Sequence, residues 1–166
     1  TNWTYYMFED TAGQLWISTC LGGIFVVDKH KLMQSASGQY VAEQNYSVHN
    51  RLSGMFINQI IPDNEGNVWV LLYNNKGIDK INPRTREVTK LFADELSGEK
   101  SPNYLLCDED GMLWVGFHGG VMRINPKDSS RQSISFGNFN NNEILSMTSV
   151  KDHIWAVSYT HLTLPT

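Results

Sequence analysis

The apolar residues of this chain fall in short runs bounded by Gly, Asn, Asp and Pro. Tyr5-Tyr-Met-Phe8, Ile24-Phe-Val-Val27, Val68-Trp-Val-Leu-Leu72, Leu113-Trp-Val115 and Ile144-Leu-Ser-Met147 are rich in β-branched and aromatic side chains. That pattern predicts strands. No stretch of comparable length sustains a 3.6-residue period. The runs at 24–27 and 68–72 are apolar on consecutive positions. A strand with one wet face would alternate, so these runs predict strands covered on both faces.

Three runs share one frame: Asp10-Thr-Ala-Gly13-Gln-Leu-Trp16, Asp63-Asn-Glu-Gly66-Asn-Val-Trp69 and Asp108-Glu-Asp-Gly111-Met-Leu-Trp114. The tryptophans are 53 and then 45 residues apart. A fixed local register with a long, elastic period marks a repeat architecture. Aligned on the Asp, each copy predicts four strands. The first precedes the Asp and the second carries the Trp. The third is Ile24–Asp28, Ile78–Asn82 or Val121–Asn125, and the fourth falls within Gln39–Tyr46, Glu87–Phe92 or Gln132–Phe136. Asp at the first turn accepts backbone N–H groups, Gly supplies a positive φ, and Asn82-Pro83 and Asn125-Pro126 stop the third strand. A fourth copy is damaged: Ile144–Thr148 and His153-Ile-Trp155-Ala156 fit its first two strands, but Lys151-Asp152 replaces the longer turn. The expected fold is all-β, a partial β-propeller with four-stranded antiparallel blades at about 3–48, 55–93 and 102–137 and part of a fourth at 143–156. The repeat-locked Trp16, Trp69, Trp114 and Trp155 are expected to wedge between blades, with each indole N–H paired locally.

Composition narrows the function classes. At 166 residues, 41% apolar and 18% charged, the chain suits one globular domain. A net charge of −4 and a pI near 5.7 argue against nucleic acid as the partner. No apolar run is long enough for a membrane helix. Cys20 and Cys107 have neither metal nor disulfide spacing and read as small, half-buried side chains. The chain starts at Thr1 on what reads as a strand, without a signal peptide, and is expected to be an internal piece of a longer protein. Val157–Thr166 breaks the repeat and resembles a translated sequencing-library adapter, so 157–166 is expected to be foreign to the fold.

If repeated residues build the scaffold, function should lie in what differs between copies. The loop between second and third strands varies: Thr19-Cys-Leu-Gly-Gly23, Leu72-Tyr-Asn-Asn-Lys-Gly77 and Phe117-His-Gly-Gly120. Tyr73, Asn74, Asn75 and His118 are the candidate ligand contacts, since a ring and amides offer stacking and hydrogen bonding to a sugar. Ordinary turn chemistry accounts equally for the asparagines. Asp108-Glu109-Asp110-Gly111 has its glycine at position four, not six, which speaks for a turn over a calcium loop. No nucleophile elbow, phosphate loop or ligand-spaced histidines stand out, so neither catalytic residues, a metal nor a cofactor is expected.

The segments Asn50–Val70 and Asp108–Pro126 resemble the two-component regulator propeller repeat, with its Leu-Ser lead-in, Ile-rich strand, Asp-x-x-Gly-x-Leu-Trp turn and Asn-Pro end. Ala12, Leu71-Leu72 and the missing turn glycine of copy four depart from that pattern. The resemblance covers 1–156. It implies the periplasmic sensor of a hybrid two-component system, responding to carbohydrate breakdown products and regulating transcription through a downstream histidine kinase. It further implies an oligosaccharide ligand, further blades of the same chain as packing partners, and a receptor homodimer. A propeller enzyme, lyase or glycan hydrolase, and a protein-interaction scaffold are the alternatives.

Overall fold

In the computed structural model, which describes residues 3–35, 42, 44–46, 52–73, 77–92, 102–136 and 143–158, each Asp-x-x-Gly frame folds as a hairpin. The strands are β1 (Thr4–Glu9), β2 (Gln14–Thr19), β3 (Gly23–Asp28) and β4 (Gln44–Tyr46); β5 (Ile57–Pro62), β6 (Val68–Leu72), β7 (Ile78–Asn82) and β8 (Glu87–Leu91); β9 (Pro102–Cys107), β10 (Leu113–Phe117), β11 (Gly120–Ile124) and β12 (Arg131–Ser135); then β13 (Ile144–Val150) and β14 (His153–Ser158). They form three four-stranded sheets in simple meander order and one two-stranded sheet. All pairings are antiparallel. The expected all-β partial propeller is therefore the observed fold. β14 runs to Ser158, with Val157 opposite Ser146 and Ser158 opposite Ile144.

The hairpin turn repeats atom by atom. Asp63 Oδ1 accepts the backbone N–H of Glu65 at 2.9 Å and of Asn67 at 2.8 Å, while Oδ2 accepts the indole N–H of Trp69 at 3.0 Å. Asp10 takes Ala12, Gln14 and Trp16 in the same way. Asp108 takes Met112 and Trp114. Gly13, Gly66 and Gly111 return their N–H to the Asp carbonyl with φ of 76°, 82° and 77°, a backbone that favours glycine.

The core is a series of seams between blades. Alternation along the central strands sends one set of side chains each way. Val68, Val70 and Leu72 pack on Trp16, Ile24, Val26 and Tyr46 of the first blade. Trp69 and Leu71 pack on Leu105, Leu113 and Val115 of the third. Every residue of β6 is buried, as its unbroken apolar run requires. A thinner seam joins Val121 to Ile144 and Met147 of the last sheet. The first strands β1, β5, β9 and β13 contact one another in sequence and form the inner edge, while β8 and β12 are largely exposed at the rim.

One expectation needs correction. A short helix, α1 (Lys29–Gln34), follows β3. Asp28 caps it by accepting the Lys31 N–H at 3.0 Å. Six residues are too few to print a helical period, and Asp28 occupies the place where Asn82 and Asn125 open tight turns with the same side-chain oxygen. The fourth strand of the first blade, Gln44–Tyr46, falls within the expected Gln39–Tyr46, of which residues 39–41 and 43 lie outside the described residues. Trp155 is 64% exposed in this segment, against 1% for Trp16 and Trp69, with no following blade among the described residues to pack on it.

Candidate functional site

In the first two blades the loop joining second to third strands shares a face with the segment that leads into the first strand. Backbone hydrogen bonds fix the two together. The Cys20 N–H donates to the Trp3 carbonyl and the Tyr73 N–H to the Phe56 carbonyl, both at 2.9 Å. Cys20, Tyr73 and His118 hold the same register, four residues after the repeat tryptophan.

Around Tyr73 the structure gathers groups from two blades. Tyr5, on β1, lies near Cys20 and, more distantly, Tyr73. The Cys20 contact first, and Tyr73 more weakly, push the Tyr5 phenol above its ordinary pKa. Trp3, Tyr5, Leu21, Met55, Phe56 and Tyr73 are all exposed in this segment. Aromatic rings held open to solvent by a rigid sheet can stack on an apolar face of a ligand, while phenol hydroxyls orient it. One residue on, Tyr6 lies within reach of Tyr104, two blades away, and burial chiefly raises its pKa.

The candidate contacts do not form one group. Tyr73 stands with Phe56, whose carbonyl accepts its N–H. His118 stands with Glu143 instead, its Nε2 3.8 Å from the carboxylate, both side chains about half exposed. Asn74 and Asn75 lie outside the described residues. Loop variation pointed to Tyr73, but Tyr5 and Phe56 were missed because they sit at the ends of first strands. The available signal was an aromatic where other copies carry Asn58 and Asn103 in the register of Tyr5.

The opposite face carries the Asp turns. The oxygens of Asp10 and Asp63 are committed to backbone and indole donors. Asn64 seals the seam to the next blade by donating Nδ2–H to the Glu109 carbonyl at 3.0 Å. Both cysteines are free and half-buried, and burial first of all pushes the Cys107 thiol up to about 11, leaving it unreactive at neutral pH.

Blade 2 carries one further departure. Asp79 stands where β3 has Phe25 and β11 has Met122. It is fully buried. Its Oδ2 accepts the Ser53 N–H and its Oδ1 the Ser53 hydroxyl, both at 2.7 Å. Burial raises its pKa, and the two Ser53 bonds and Lys90 oppose that rise.

No family model and no curated protein matches the chain. Solved structures do. Two structures of the extracellular domain of BT4673 from Bacteroides thetaiotaomicron, assigned to a hybrid two-component system in one and to a one-component system in the other, superpose with a TM-score of 0.89 at 90% identity. The match covers 94% of this chain and 21% of that domain. The extracellular domain of BT3049, a hybrid two-component system of the same organism, aligns with a TM-score of 0.73 at 21% identity over 93% of this chain and 20% of its own. Virginiamycin B lyase from Staphylococcus aureus aligns with a TM-score of 0.64 at 15% identity, covering 93% of this chain and 48% of its own, a likeness of fold alone. The chain thus spans about a fifth of the domain it matches at high identity, the extracellular domain of a two-component system. No helix among the described residues is long and apolar enough to cross a membrane. The resemblance carried by the Asp-x-x-Gly-x-Leu/Val-Trp frame and the 90% match agree: this chain is similar to a propeller segment of the extracellular domain of a Bacteroides two-component signalling system.

Proposed function

We propose that this segment belongs to the ligand-receiving, periplasmic region of a two-component receptor. Its blades pack against further blades of the same chain, and the receptor acts as a homodimer whose histidine kinase output regulates transcription. The carrying observation is the 90% identity to an extracellular signalling domain over nearly all of this chain. Residues 157–166 are foreign to that region, an assignment tested by the nucleotides encoding them.

The input we assign to the face bearing Tyr5, Phe56 and Tyr73 is a short oligosaccharide. Exposed rings on a fixed backbone provide stacking area at low entropic cost, which suits a ligand with alternating apolar faces and hydroxyl edges. Ligand binding would bias the receptor through different affinity for two arrangements of the domain. Calorimetry on the complete extracellular domain with purified oligosaccharide fractions is the test. A saturable heat weakened about tenfold or more by Tyr73→Ala supports the reading, since loss of one well-packed aromatic contact is of that size. Undiminished binding by Tyr73→Ala and Phe56→Ala variants would move the site elsewhere.

A further inference from the structure

The second blade ties its lead-in segment at two points, and the two ties bracket the loop that carries Tyr73. Before the loop, the Tyr73 N–H donates to the Phe56 carbonyl at 2.9 Å. After it, Asp79 receives both the N–H and the hydroxyl of Ser53 at 2.7 Å. Leu52, next to Ser53, is buried in the seam with the first blade. The segment 52–56 is thus held at Leu52, at Ser53 and at Phe56, leaving Met55 and the Phe56 ring to project into solvent. Blade 1 has the first tie, from Cys20 to Trp3, but carries Phe25 in place of Asp79. Blade 3 carries Met122 there. Neither side chain has a carboxylate with which to hold a lead-in segment.

We propose that Asp79 is a positioning residue: by clamping Ser53 it fixes the Met55–Phe56 segment against the Tyr73 loop and so sets the spacing of the exposed rings. A fully buried carboxylate is costly in a strand where the other copies use Phe and Met, and two hydrogen bonds offset that cost only in part. Packing alone would favour an apolar residue. What the carboxylate adds is a two-point grip on a backbone N–H and a hydroxyl, a geometry that fixes both position and rotation. The assignment of a ligand to these rings rests on the function proposed above, but the clamp itself is a property of the free protein.

The test is residue-resolved hydrogen exchange in the complete extracellular domain, without ligand. Asp79→Asn and Ser53→Ala should each speed exchange of the Tyr73 amide about tenfold or more, the change expected when a local opening loses a charge-assisted hydrogen bond. The Trp69, Val70 and Val115 amides should keep their protection. Ser53→Thr, which retains both donors, should restore the native Tyr73 rate. If Asp79→Asn unfolds the domain, the Ser53 pair alone decides. Unchanged Tyr73 exchange in Ser53→Ala, or equal acceleration of all four amides, would overturn the proposal. Failure of oligosaccharides to bind the native domain would overturn the sensing assignment and leave these exchange rates as they are.

Discussion

The second and fourth sheets begin with the same kind of strand and end differently. In blade 2 the turn Asp63–Asn67 supplies a carboxylate to the Trp69 indole, and Trp69 is 1% exposed. In the fourth sheet the turn is Lys151-Asp152, joining Val150 to His153, and Trp155 is 64% exposed. Residue type and strand position are equal in the two cases. The turn carboxylate fixes the ring's edge, and a neighbouring blade covers its face. Lys80 completes the cover in blade 2, its Nζ 5.1 Å from the Trp69 ring centre. In this segment Trp69 has both and Trp155 has neither.

The largest effect should come from deleting the wedge. Trp69→Ala should destabilise by about 3–5 kcal/mol in urea melts, the usual cost of emptying a large aromatic site. Trp155→Ala in the 166-residue chain should change stability by less than about 0.5 kcal/mol, as for an exposed position. Equal losses would mean that Trp155 is covered in solution. Acrylamide quenching of single-tryptophan variants checks that directly.

Next comes the turn carboxylate. Asp63→Ala removes the acceptor for Glu65, Asn67 and Trp69 at once and should cost about 2–3 kcal/mol, the range for charge-assisted bonds with a donor left behind. The same change at Asp152 should be nearly silent in thermal melts.

At the seam to the fourth sheet the limit is space. A Cβ on Gly116 would lie 2.9 Å from Ile144 Cβ and Cγ2. Gly116→Ala should therefore cost about 1–2 kcal/mol by overpacking. Ser18 and Leu71 hold the same register in the earlier blades, where larger side chains are accommodated. If the alanine is tolerated without loss, the fourth sheet sits loosely on the third.

A pH-dependent difference separates native protein from Asp79→Asn. Burial holds the Asp79 pKa above its ordinary 3.8, so the folded protein binds this proton more tightly than the unfolded chain. Its favourable contribution is complete below 3.8 and is lost as pH rises through the folded value. Native stability should fall over that window relative to the Asn variant, whose side chain does not titrate. A pH series of urea melts on the two proteins reads the difference, and parallel curves would refute it.

The smallest change tests the short turn. Lys151 adopts φ 53°. Lys151→Gly should stabilise the last hairpin by about 0.5 kcal/mol, the left-handed strain relieved less the extra entropy of glycine. A loss in thermal melts would show that the Lys side chain contributes there.

The blade order and the Asp–Gly–Trp register were legible in the chain because they rest on local chemistry. Asp reaches donors two and four residues on, Gly turns the backbone, and consecutive apolar residues call for cover on two faces. The helix Lys29–Gln34 was not legible, since Asp28 caps it with the same kind of side-chain oxygen that Asn82 and Asn125 use to open turns. The candidate site was legible by half. Tyr73 announced itself through loop variation, whereas Tyr5 and Phe56 joined it through contacts spanning much of a repeat.

The sequence by itself determined the strands, the turns and the family they resemble, all interactions within about ten residues. Tertiary structure decided which tryptophans are buried, which aromatic rings share a face and why an aspartate stands inside a seam. These depend on one blade meeting the next. Asp79 shows the difference: in the sequence it is a polar residue in an apolar strand, and only the lead-in from the blade boundary, 26 residues away, supplies the Ser53 donors that make it a clamp.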